Sequence, residues 1–437
     1  MRRSPKLMAL AMSGALMLAA CGGGDSKDSA SSTNPPASGG DSSGSSGSAT
    51  TGADGVKMGP GVTADTITLG VMADLTGPFK ELDTAIQAGH KMWADEVNGK
   101  GGVCGRQIKI QTVDHGYKAD QATIQFPDIE PKVAGFMEIL GSPVIAALKQ
   151  DINDKKVTTE AVSWASTLLD QPYVTIVGTT YDLEMINALD YLMTEGKIKK
   201  GDKIGHIYID GEYGGNGLLG SQYFAKQNGM TIVEGKVTAT DTDMKSIITN
   251  FKSKGVKAIA LTDTPTQTAS AASNNAALGL NVPMVGNNPA FAPALMDTPA
   301  AAALTKLIIA ASAVPYDSPL PKMKELAAAF EKANPSVKPN YGVGFGYAMG
   351  VIWGQILDKA CTAKDLTRDG MHTALTGISD LSTDKLVANL DYTKPGSPPS
   401  RQVYIMTPDK KTPGDLKQLK ALSESADAKT YKAPLEK

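Results

Sequence analysis

From residue 66 onward, the hydrophobic residues follow two alternating spacings. Short aliphatic runs, typical of buried strands, are followed by stretches in which apolar residues recur every three or four positions, as on one face of a helix. We predict strands at residues 66–72, 107–113, 136–140, 203–209, 231–237, 257–261 and 282–285. Helices are predicted from 83 or 84 to 98 and at 144–152, 182–195, 216–228, 244–254 and 265–278. The last helix has a strong start signal, because Thr264 is followed by Pro265 and by Gln267 three residues after the cap.

Repeated strand–helix units predict parallel sheets with helices on both faces, which is a doubly wound α/β architecture. Roughly 350 residues of this pattern are too many for one core, so we expect two lobes. Gly342, Gly346 and Gly350 lie four apart in a helical pattern. This spacing predicts close packing against a neighbouring helix. The Lys-rich stretch after Thr412 is predicted to be a solvated tail or a surface helix.

The amino terminus has the pattern of an export signal. Arg2, Arg3 and Lys6 precede an apolar run over residues 7–18, which is shorter than the ~20 residues needed to cross a bilayer. We therefore predict a signal peptide over residues 1–20, with the export route left open. The sequence Leu18-Ala19-Ala20-Cys21 resembles the bacterial lipobox, which implies that Cys21 is lipidated. The alternative is an ordinary secretory signal with an incidental cysteine.

A segment without large hydrophobic residues follows. Residues 22–55 contain no Leu, Ile, Val, Met, Phe, Tyr or Trp, and Gly and Ser dominate. Such a segment behaves as a flexible coil with an r.m.s. reach of about 30 Å. We expect residues 21–60 to form a lipidated cysteine and a disordered tether. The body of the protein would then work on the extracytoplasmic face of a bacterial cell membrane.

Composition excludes several classes of function. The chain has 41% hydrophobic residues and a net charge of −2, which argues against disorder and against a nucleic-acid partner. Three cysteines and four histidines, without HExxH or CxxC, give no basis for a metal site. We expect no cofactor.

In open parallel sheets, ligands bind beyond the carboxyl ends of the strands. The residues at these positions carry hydroxyl, amide, carboxylate and aromatic side chains, which suits recognition of a small polar molecule. No GxSxG motif or paired nucleophile and base is present. We therefore predict a binding protein, with an anchored hydrolase as the disfavoured alternative. The candidate site residues are Ser142, Ser163, Trp164, Ser166, Asp182, Tyr213, Asp263 and Asn288.

Residues 89–106, GHKMWADEVNGKGGVCGR, resemble the first helix and turn of leucine/isoleucine/valine-type periplasmic binding proteins. These solute receptors serve ABC importers and include relatives for amides and urea. Residues 75–78, the turn over 213–217 and the region of Asp391 also fit, so the resemblance runs from about residue 67 to 407.

The resemblance implies the type I periplasmic binding protein fold, in which two lobes are joined by three crossovers and close on the ligand. Lobe 1 would comprise residues 61–181 plus 313–390, lobe 2 residues 182–312 plus 391–412, and the tail residues 413–437. The hinges would lie near residues 181–182, 311–313 and 390–392.

The resemblance also implies roles for individual residues. Ser142 and either Ser163 or Ser166 match positions that bind a ligand carboxylate, and Asp182 matches the position that binds an ammonium group. Hydroxyls and carboxylates suit these tasks. The alternatives are that Ser142 and Asp182 are simple turn or helix-cap residues. Tyr213 is compatible both with closing over the ligand and with packing between lobes.

Three positions depart from the family pattern. Trp164 stands where a small residue is usual, and Asp263 and Asn288 make the lobe 2 side more polar than a branched aliphatic ligand needs. We therefore expect an amino acid, amide or urea-like ligand that is delivered to ABC permease subunits. A ligand-sensing subunit of a membrane signalling system is the alternative on the same fold.

The remaining cysteines are Cys104 and Cys361. In the resembled fold both belong to lobe 1, and the compartment is oxidising, so we predict a disulfide. Two separate buried thiols remain the alternative.

Overall fold

The computed structural model describes residues 50–437, and the alternation of strands and helices predicted from the hydrophobic pattern is present. The capping box of Thr264 and Gln267 forms in both directions. The strands are β1 (Thr50–Thr51), β2 (Lys57–Met58), β3 (Thr66–Ala73), β4 (Gln107–Asp114), β5 (Gly135–Leu140), β6 (Thr159–Val162), β7 (Val174–Ile176), β8 (Lys203–Ile209), β9 (Thr231–Val237), β10 (Ala258–Thr262), β11 (Met284–Asn287), β12 (Leu307–Ala311), β13 (Asp365–Leu366), β14 (Val403–Pro408) and β15 (Leu416–Ser423). The helices are α1 (Lys80–Gly99), α2 (Ala119–Ile129), α3 (Ser142–Asp154), α4 (Tyr181–Thr194), α5 (Glu212–Gln227), α6 (Lys245–Lys254), α7 (Pro265–Ala277), α8 (Ala301–Leu304), α9 (Pro321–Ala333), α10 (Gly342–Thr362), α11 (Arg368–Thr376) and α12 (Ala426–Thr430).

Two large sheets organise these elements. The five-stranded sheet has the order β4-β3-β5-β6-β7, and all its pairings are parallel. The seven-stranded sheet has the order β15-β14-β12-β11-β10-β8-β9 and is parallel except for the pairings of β14. The doubly wound α/β prediction is thereby confirmed. We call the five-stranded sheet and its helices lobe 1, and the seven-stranded sheet and its helices lobe 2.

The chain passes between the two sheets three times: after β7, after β12 and before β14. These passages correspond to the three expected crossovers. Movement of one lobe against the other stays a prediction, since the described residues pack as one compact unit.

The glycines of α10 allow that helix to lie directly against α1. A Cβ atom on Gly346 would approach the Ile86 carbonyl oxygen to 2.1 Å, and one on Gly350 would lie 2.3 Å from the Trp93 ring. The predicted close packing of this stripe is therefore confirmed. Within residues 50–437, no helix combines the length and the apolarity needed to cross a membrane.

The predicted disulfide between Cys104 and Cys361 is present, with Cα atoms 6.2 Å apart. Beside it, the buried Arg106 pairs with Asp54, with 2.7 Å between Nη2 and Oδ2. Strands β1 and β2 pair with each other, and β2 pairs with β13. Residues 50–60, which were expected to belong to the disordered tether, are instead ordered, because Asp54 and Val56 make specific contacts with the body. Cys21 and the predicted signal peptide lie outside the described residues.

The carboxyl-terminal stretch also differs from the expectation of a solvated tail or surface helix. Strand β15 pairs antiparallel with β14 at the edge of the seven-stranded sheet, and α12 follows. Lysines are tolerated on such an edge strand because their side chains reach solvent. Leu416, Tyr431 and Ala433 are buried, so the segment contributes to the core of lobe 2.

Candidate ligand-binding site

The carboxyl ends of strands from both lobes meet around a small cavity. Its volume is about 20 Å³, so the rings around it are nearly in contact, and most of its wall is aromatic or aliphatic. We call it the aromatic cavity, and its lining residues are Phe79, Leu82, Tyr117, Leu140, Gly141, Ser142, Val162, Trp164, Tyr181, Tyr213 and Pro289. The site therefore lies where the rule for parallel sheets predicts it.

Five aromatic rings form a continuous wall of the cavity. Phe79 and Tyr117 meet edge to face with ring centroids 4.9 Å apart, and Tyr181 and Tyr213 lie 4.6 Å apart. Trp164 packs edge-on against Tyr181 at 5.8 Å, while Phe79 of lobe 1 reaches Tyr213 of lobe 2 at 6.4 Å. The rings from the two lobes thus touch across the cleft and offer large apolar contact surfaces.

The indole of Trp164 is held in place by a hydrogen bond and by a ring contact on the side away from the cavity. Its Nε1 donates a hydrogen bond to the Val177 carbonyl oxygen at 2.8 Å, so the nitrogen is satisfied. The ring also contacts Phe345 at 5.3 Å. Because its polar atom is already bonded, Trp164 presents an apolar surface to a ligand.

Two hydroxyls supply the polar end of the cavity. Ser142 is the first residue of α3, and its Oγ lies 2.7 Å from Oγ of Ser163. Both side chains are buried. Ser142 also lies at a helix start, where unpaired backbone N–H groups favour an anion. This end of the cavity can therefore accept a carboxylate.

Asp182 does not line the aromatic cavity. Its Oδ2 accepts hydrogen bonds from Ser166 Oγ at 2.7 Å, Tyr431 OH at 2.9 Å and Asn216 Nδ2 at 3.1 Å. Burial raises the pKa of the Asp182 carboxyl, and these hydrogen bonds oppose the shift. We call Ser166, Asp182, Asn216 and Tyr431 the Asp182 cluster. Ser166 and Asp182 were expected at the ligand, and the structure instead bonds them to each other.

Asp263 and Asn288 lie behind the lobe 2 wall rather than in it. Asp263 Oδ1 accepts a hydrogen bond from Thr268 at 2.6 Å, while its buried Oδ2 has no partner among the described residues. Burial raises the pKa of Asp263 to about 8. Its backbone carbonyl accepts a hydrogen bond from the Tyr213 hydroxyl at 3.2 Å. Asp263 thus supports a ring of the cavity.

Asn288 belongs to a second buried network, whose centre is Glu184. Glu184 accepts hydrogen bonds from Asn288 Nδ2 at 2.9 Å and from Asn287 Nδ2 at 3.0 Å. Burial raises the pKa of Glu184 to about 7, although these hydrogen bonds lower it. Tyr341 of lobe 1 donates to the Asn288 carbonyl oxygen at 2.8 Å, which joins the two lobes. Glu184 was not among the predicted site residues, because its position within a predicted helix carries no signal of a buried network.

Of the eight predicted side chains, Ser142, Trp164 and Tyr213 line the aromatic cavity, and Ser163 bonds to the first of them. Phe79 and Tyr117 also line the cavity and were not among the predicted residues. Phe79 follows the 75–78 motif, and Tyr117 comes three residues after β4, so both stand near a strand end. Attention to aromatic residues at those positions could have found them.

Within residues 50–437, no group of three or more His, Cys, Asp or Glu side chains is arranged to hold a metal ion. The cavity also lacks a nucleophile paired with a histidine, because the three buried histidines lie elsewhere. The geometry is that of a two-lobed α/β protein with a small, mostly apolar cavity at the carboxyl ends of its strands.

Comparisons with known proteins agree with this class. The family model described as a periplasmic binding protein matches residues 66–413. A solved fatty acid ABC transporter substrate-binding protein from Thermomonospora curvata is 39% identical, with a TM-score of 0.86. The match covers 89% of this chain and 100% of that one. The chain belongs to the periplasmic binding protein family of ABC transporter substrate-binding proteins, and it is a binding protein rather than an enzyme.

More distant solved structures share the fold. A branched-chain amino acid ABC transporter protein from Thermus thermophilus with bound valine is 18% identical, with a TM-score of 0.74, and the match covers 84% of this chain and 99% of that one. A leucine-binding protein from Thermotoga maritima is 15% identical, with a TM-score of 0.69 and coverage of 83% and 100%. Among curated proteins, no sequence matches this chain. The predicted resemblance to leucine/isoleucine/valine-type binding proteins is confirmed.

Proposed function

We propose that this protein captures a small carboxylate with an apolar body, of the fatty acid type, in the aromatic cavity and delivers it to an ABC permease. The observation that carries the proposal is the chemistry of the wall. Among the described residues that line the cavity, none is charged, and Ser142 is the only one with an aliphatic hydroxyl.

An apolar wall favours a ligand that buries apolar surface. The cavity of about 20 Å³ must widen to admit a hydrocarbon chain, which we propose happens when the lobes move apart. Each CH₂ group that is then buried between the five rings contributes ~0.8 kcal/mol. The 39% identical relative is a fatty acid substrate-binding protein, which supports the same class of ligand here.

The polar end of the cavity suits a carboxylate head group. The hydroxyls of Ser142 and Ser163 form a pair at the start of α3. Hydroxyl and backbone N–H donors of this kind bind a carboxylate by charge-assisted hydrogen bonds. The expected roles of these two serines at a carboxylate are thus retained in the proposal.

An amino acid ligand, the class expected from the sequence, has less support. Its ammonium group needs an acceptor. The matching residue, Asp182, already accepts hydrogen bonds from Ser166, Asn216 and Tyr431. Glu184 is likewise occupied, by Asn287 and Asn288. An amide or urea needs several donors and acceptors, whereas the wall offers hydroxyl groups, from Ser142 and three tyrosines, but no carboxylate or amide side chain. We therefore favour the apolar carboxylate.

A thermal-shift experiment on the purified full chain separates these classes. Octanoate, valine and urea would be added in excess, since a ligand at 100 times its Kd stabilises the folded state by about 2.7 kcal/mol. We expect octanoate to raise the melting temperature and the other two to leave it unchanged. Stabilisation by valine or urea without stabilisation by octanoate would overturn the proposed ligand class.

Capture is proposed to occur by closure of the two lobes, with hinges near residues 181–182, 311–313 and 390–392. We also propose that a lipid on Cys21 anchors the protein to the membrane through the Gly/Ser-rich segment. Cys21→Ala should move the protein from the membrane fraction to the soluble fraction. Retention of the variant in the membrane fraction would contradict the anchor.

A further inference from the structure

We propose that the Asp182 cluster stabilises the ligand-bound, closed arrangement of the lobes, and that Asn216 and Tyr431 are positioning residues which set the ligand dissociation rate. The inference rests on the proposed capture by lobe closure. It assigns a role in binding to residues that line no part of the aromatic cavity, and to the carboxyl-terminal segment of the chain.

One asparagine bonds the two lobes at this point. Asn216 lies on α5 of lobe 2, while Ser166 follows β6 of lobe 1. Asn216 Nδ2 donates to Ser166 Oγ at 2.6 Å, and Asn216 Oδ1 accepts from the Ser166 backbone N–H at 3.2 Å. The same amide bonds Asp182 at Oδ2 and at its backbone N–H, at 3.1 and 3.3 Å. The Asn216 side chain therefore has both ends occupied.

Within the cluster, Asp182 and Asn216 form a rigid pair. A Cβ atom on Gly220 of α5 would lie 2.2 Å from the Asp182 carbonyl oxygen, so the two helices that carry the pair are in direct backbone contact. Ser166 comes from the other lobe. Because Asp182 lies at the proposed hinge, the contacts that opening would alter are those between Ser166 of lobe 1 and Asn216 of lobe 2, whereas the Asp182–Asn216 contact stays within lobe 2.

The cavity lies next to these breakable contacts. Trp164, whose ring lines the cavity, is two residues before Ser166 in the chain. The Trp164 carbonyl oxygen accepts a hydrogen bond from the Tyr181 backbone N–H at 2.7 Å, next to Asp182. A ligand that holds Trp164 and Tyr181 together thus also favours the assembled cluster.

The carboxyl-terminal segment supplies the last donor. Tyr431 OH donates to Asp182 Oδ2 at 2.9 Å, and both groups are buried. Arg401, which precedes β14, holds the segment by donating to the Ala428 and Tyr431 carbonyl oxygens at 2.9 and 2.8 Å. Arg401 lies at the third crossover, before β14, and Asp182 lies at the first crossover, after β7. Tyr431 bonds both residues, so the carboxyl-terminal segment connects the third crossover to the first.

A buried carboxylate tolerates the loss of a donor poorly, because the charge stays desolvated. Tyr431→Phe removes one donor and keeps the ring. We expect this variant to release bound octanoate roughly tenfold faster, with the association rate unchanged because the ligand enters the open form. Asn216→Ala should act in the same direction and more strongly.

The matched control is Tyr223→Phe. Tyr223 packs edge to face against Tyr431 at 4.7 Å, and its hydroxyl bonds Thr430 at 3.2 Å rather than Asp182. Tyr223→Phe therefore removes a tyrosine hydroxyl on α5 that bonds the carboxyl-terminal segment but not Asp182, and it keeps the ring that packs on Tyr431. All variants should melt within a few degrees of the wild type, which keeps a folding defect separate from an effect on closure.

The experiment measures octanoate association and dissociation by stopped flow on the full chain of the wild type and the three variants. Faster dissociation with unchanged association in Tyr431→Phe and Asn216→Ala, but not in Tyr223→Phe, supports the proposal. Equal dissociation rates in all four proteins, or a change confined to association, would overturn it.

A second measurement decides the outcome if octanoate does not bind the wild type, which would refute the proposed ligand rather than the cluster. Amide hydrogen exchange at Ser166 is then compared between Tyr431→Phe and Tyr223→Phe. Tyr431 does not contact the Ser166 amide, so faster exchange in Tyr431→Phe alone supports coupling through Asp182. Unchanged exchange in both variants would overturn the proposal.

Discussion

The aromatic cavity and the Asp182 cluster lie side by side at the carboxyl ends of the strands, yet their chemistry is opposite. In the cavity, five aromatic rings surround a small space, and the polar side chains of the wall carry only hydroxyl groups or the bonded indole nitrogen of Trp164. In the cluster, a buried carboxylate is surrounded by hydroxyl and amide donors that leave no room for a ligand. Polar side chains near a cleft are therefore poor evidence for ligand contact when they satisfy one another.

Among the proposed variants, Asp182→Ala, in the cluster, is expected to have the largest effect, and the effect is on the free energy of unfolding. Removing the carboxylate leaves buried donors on Ser166, Asn216 and Tyr431 without an acceptor, so we expect a loss of roughly 3–5 kcal/mol in the free energy of unfolding. Urea denaturation measures this loss. Affinities for all ligands should fall by one common factor, since the cluster acts on closure. A selective loss of valine binding with unchanged stability would instead make Asp182 an ammonium ligand.

Asp263→Asn tests the polar groups behind the lobe 2 wall. Burial raises the pKa of Asp263 to about 8, so the folded state holds this proton while the unfolded state, with a pKa near 3.9, releases it. The stability contributed by Asp263 is therefore complete at acidic pH and is lost as pH rises from about 4 to about 8. Near pH 8 the variant should be more stable than the wild type by roughly 2–4 kcal/mol.

The difference between Asp263→Asn and the wild type should vanish near pH 4. The matched control is Asp120→Asn, because Asp120 is exposed on α2. Denaturation curves at pH 4, 6 and 8 check both variants. Parallel pH profiles for the wild type and Asp263→Asn would contradict a neutral buried carboxyl at this position.

Tyr213→Ala tests the cavity side of the comparison. The ring contacts Tyr181 and Phe79, and its loss removes contact surface for an apolar ligand. We expect octanoate affinity to fall by ~2 kcal/mol, about 30-fold. Tyr316→Ala, which removes a buried ring outside the cavity, serves as the control and should leave affinity unchanged. Equal losses in both variants would point to a general effect on folding.

Ser142→Ala has the smallest expected effect. It removes one hydroxyl of the pair with Ser163, and we expect a loss of ~1 kcal/mol in carboxylate binding. Because the contact is to the head group, hexanoate, octanoate and decanoate should lose affinity by the same factor in calorimetric titrations. The exposed Ser253→Ala is the control. A loss that grows with chain length would place Ser142 at the hydrocarbon chain instead.

The sequence predicted the regular part of the fold because the periodicity of buried residues is strong there. Strands such as β5 are buried throughout, and the capping box at Thr264 is a local signal. Strands β14 and β15 were missed, although β14 lies inside the sheet between β12 and β15. The lysines of the edge strand β15 obscure its pattern. The pairing of β14 with β12 joins residues about 95 positions apart in the chain, which no local pattern shows.

The candidate site was predictable in position but not in detail. Strand ends gave Ser142, Trp164 and Tyr213, which line the cavity. The direction of a polar side chain depends on partners such as Asn216 and Tyr431, which lie 34 and 249 residues from Asp182. No local pattern contains that information. The hydrogen-bond partners of Asp182 can therefore be identified only from the tertiary structure.

The most direct test of the proposed ligand class is isothermal titration calorimetry of the full chain with octanoate at several temperatures. Binding that buries an apolar chain in the aromatic cavity predicts one site per chain and a negative heat-capacity change. Valine should give no heat of binding at the same concentrations. One-site binding of valine with no binding of octanoate would contradict the account.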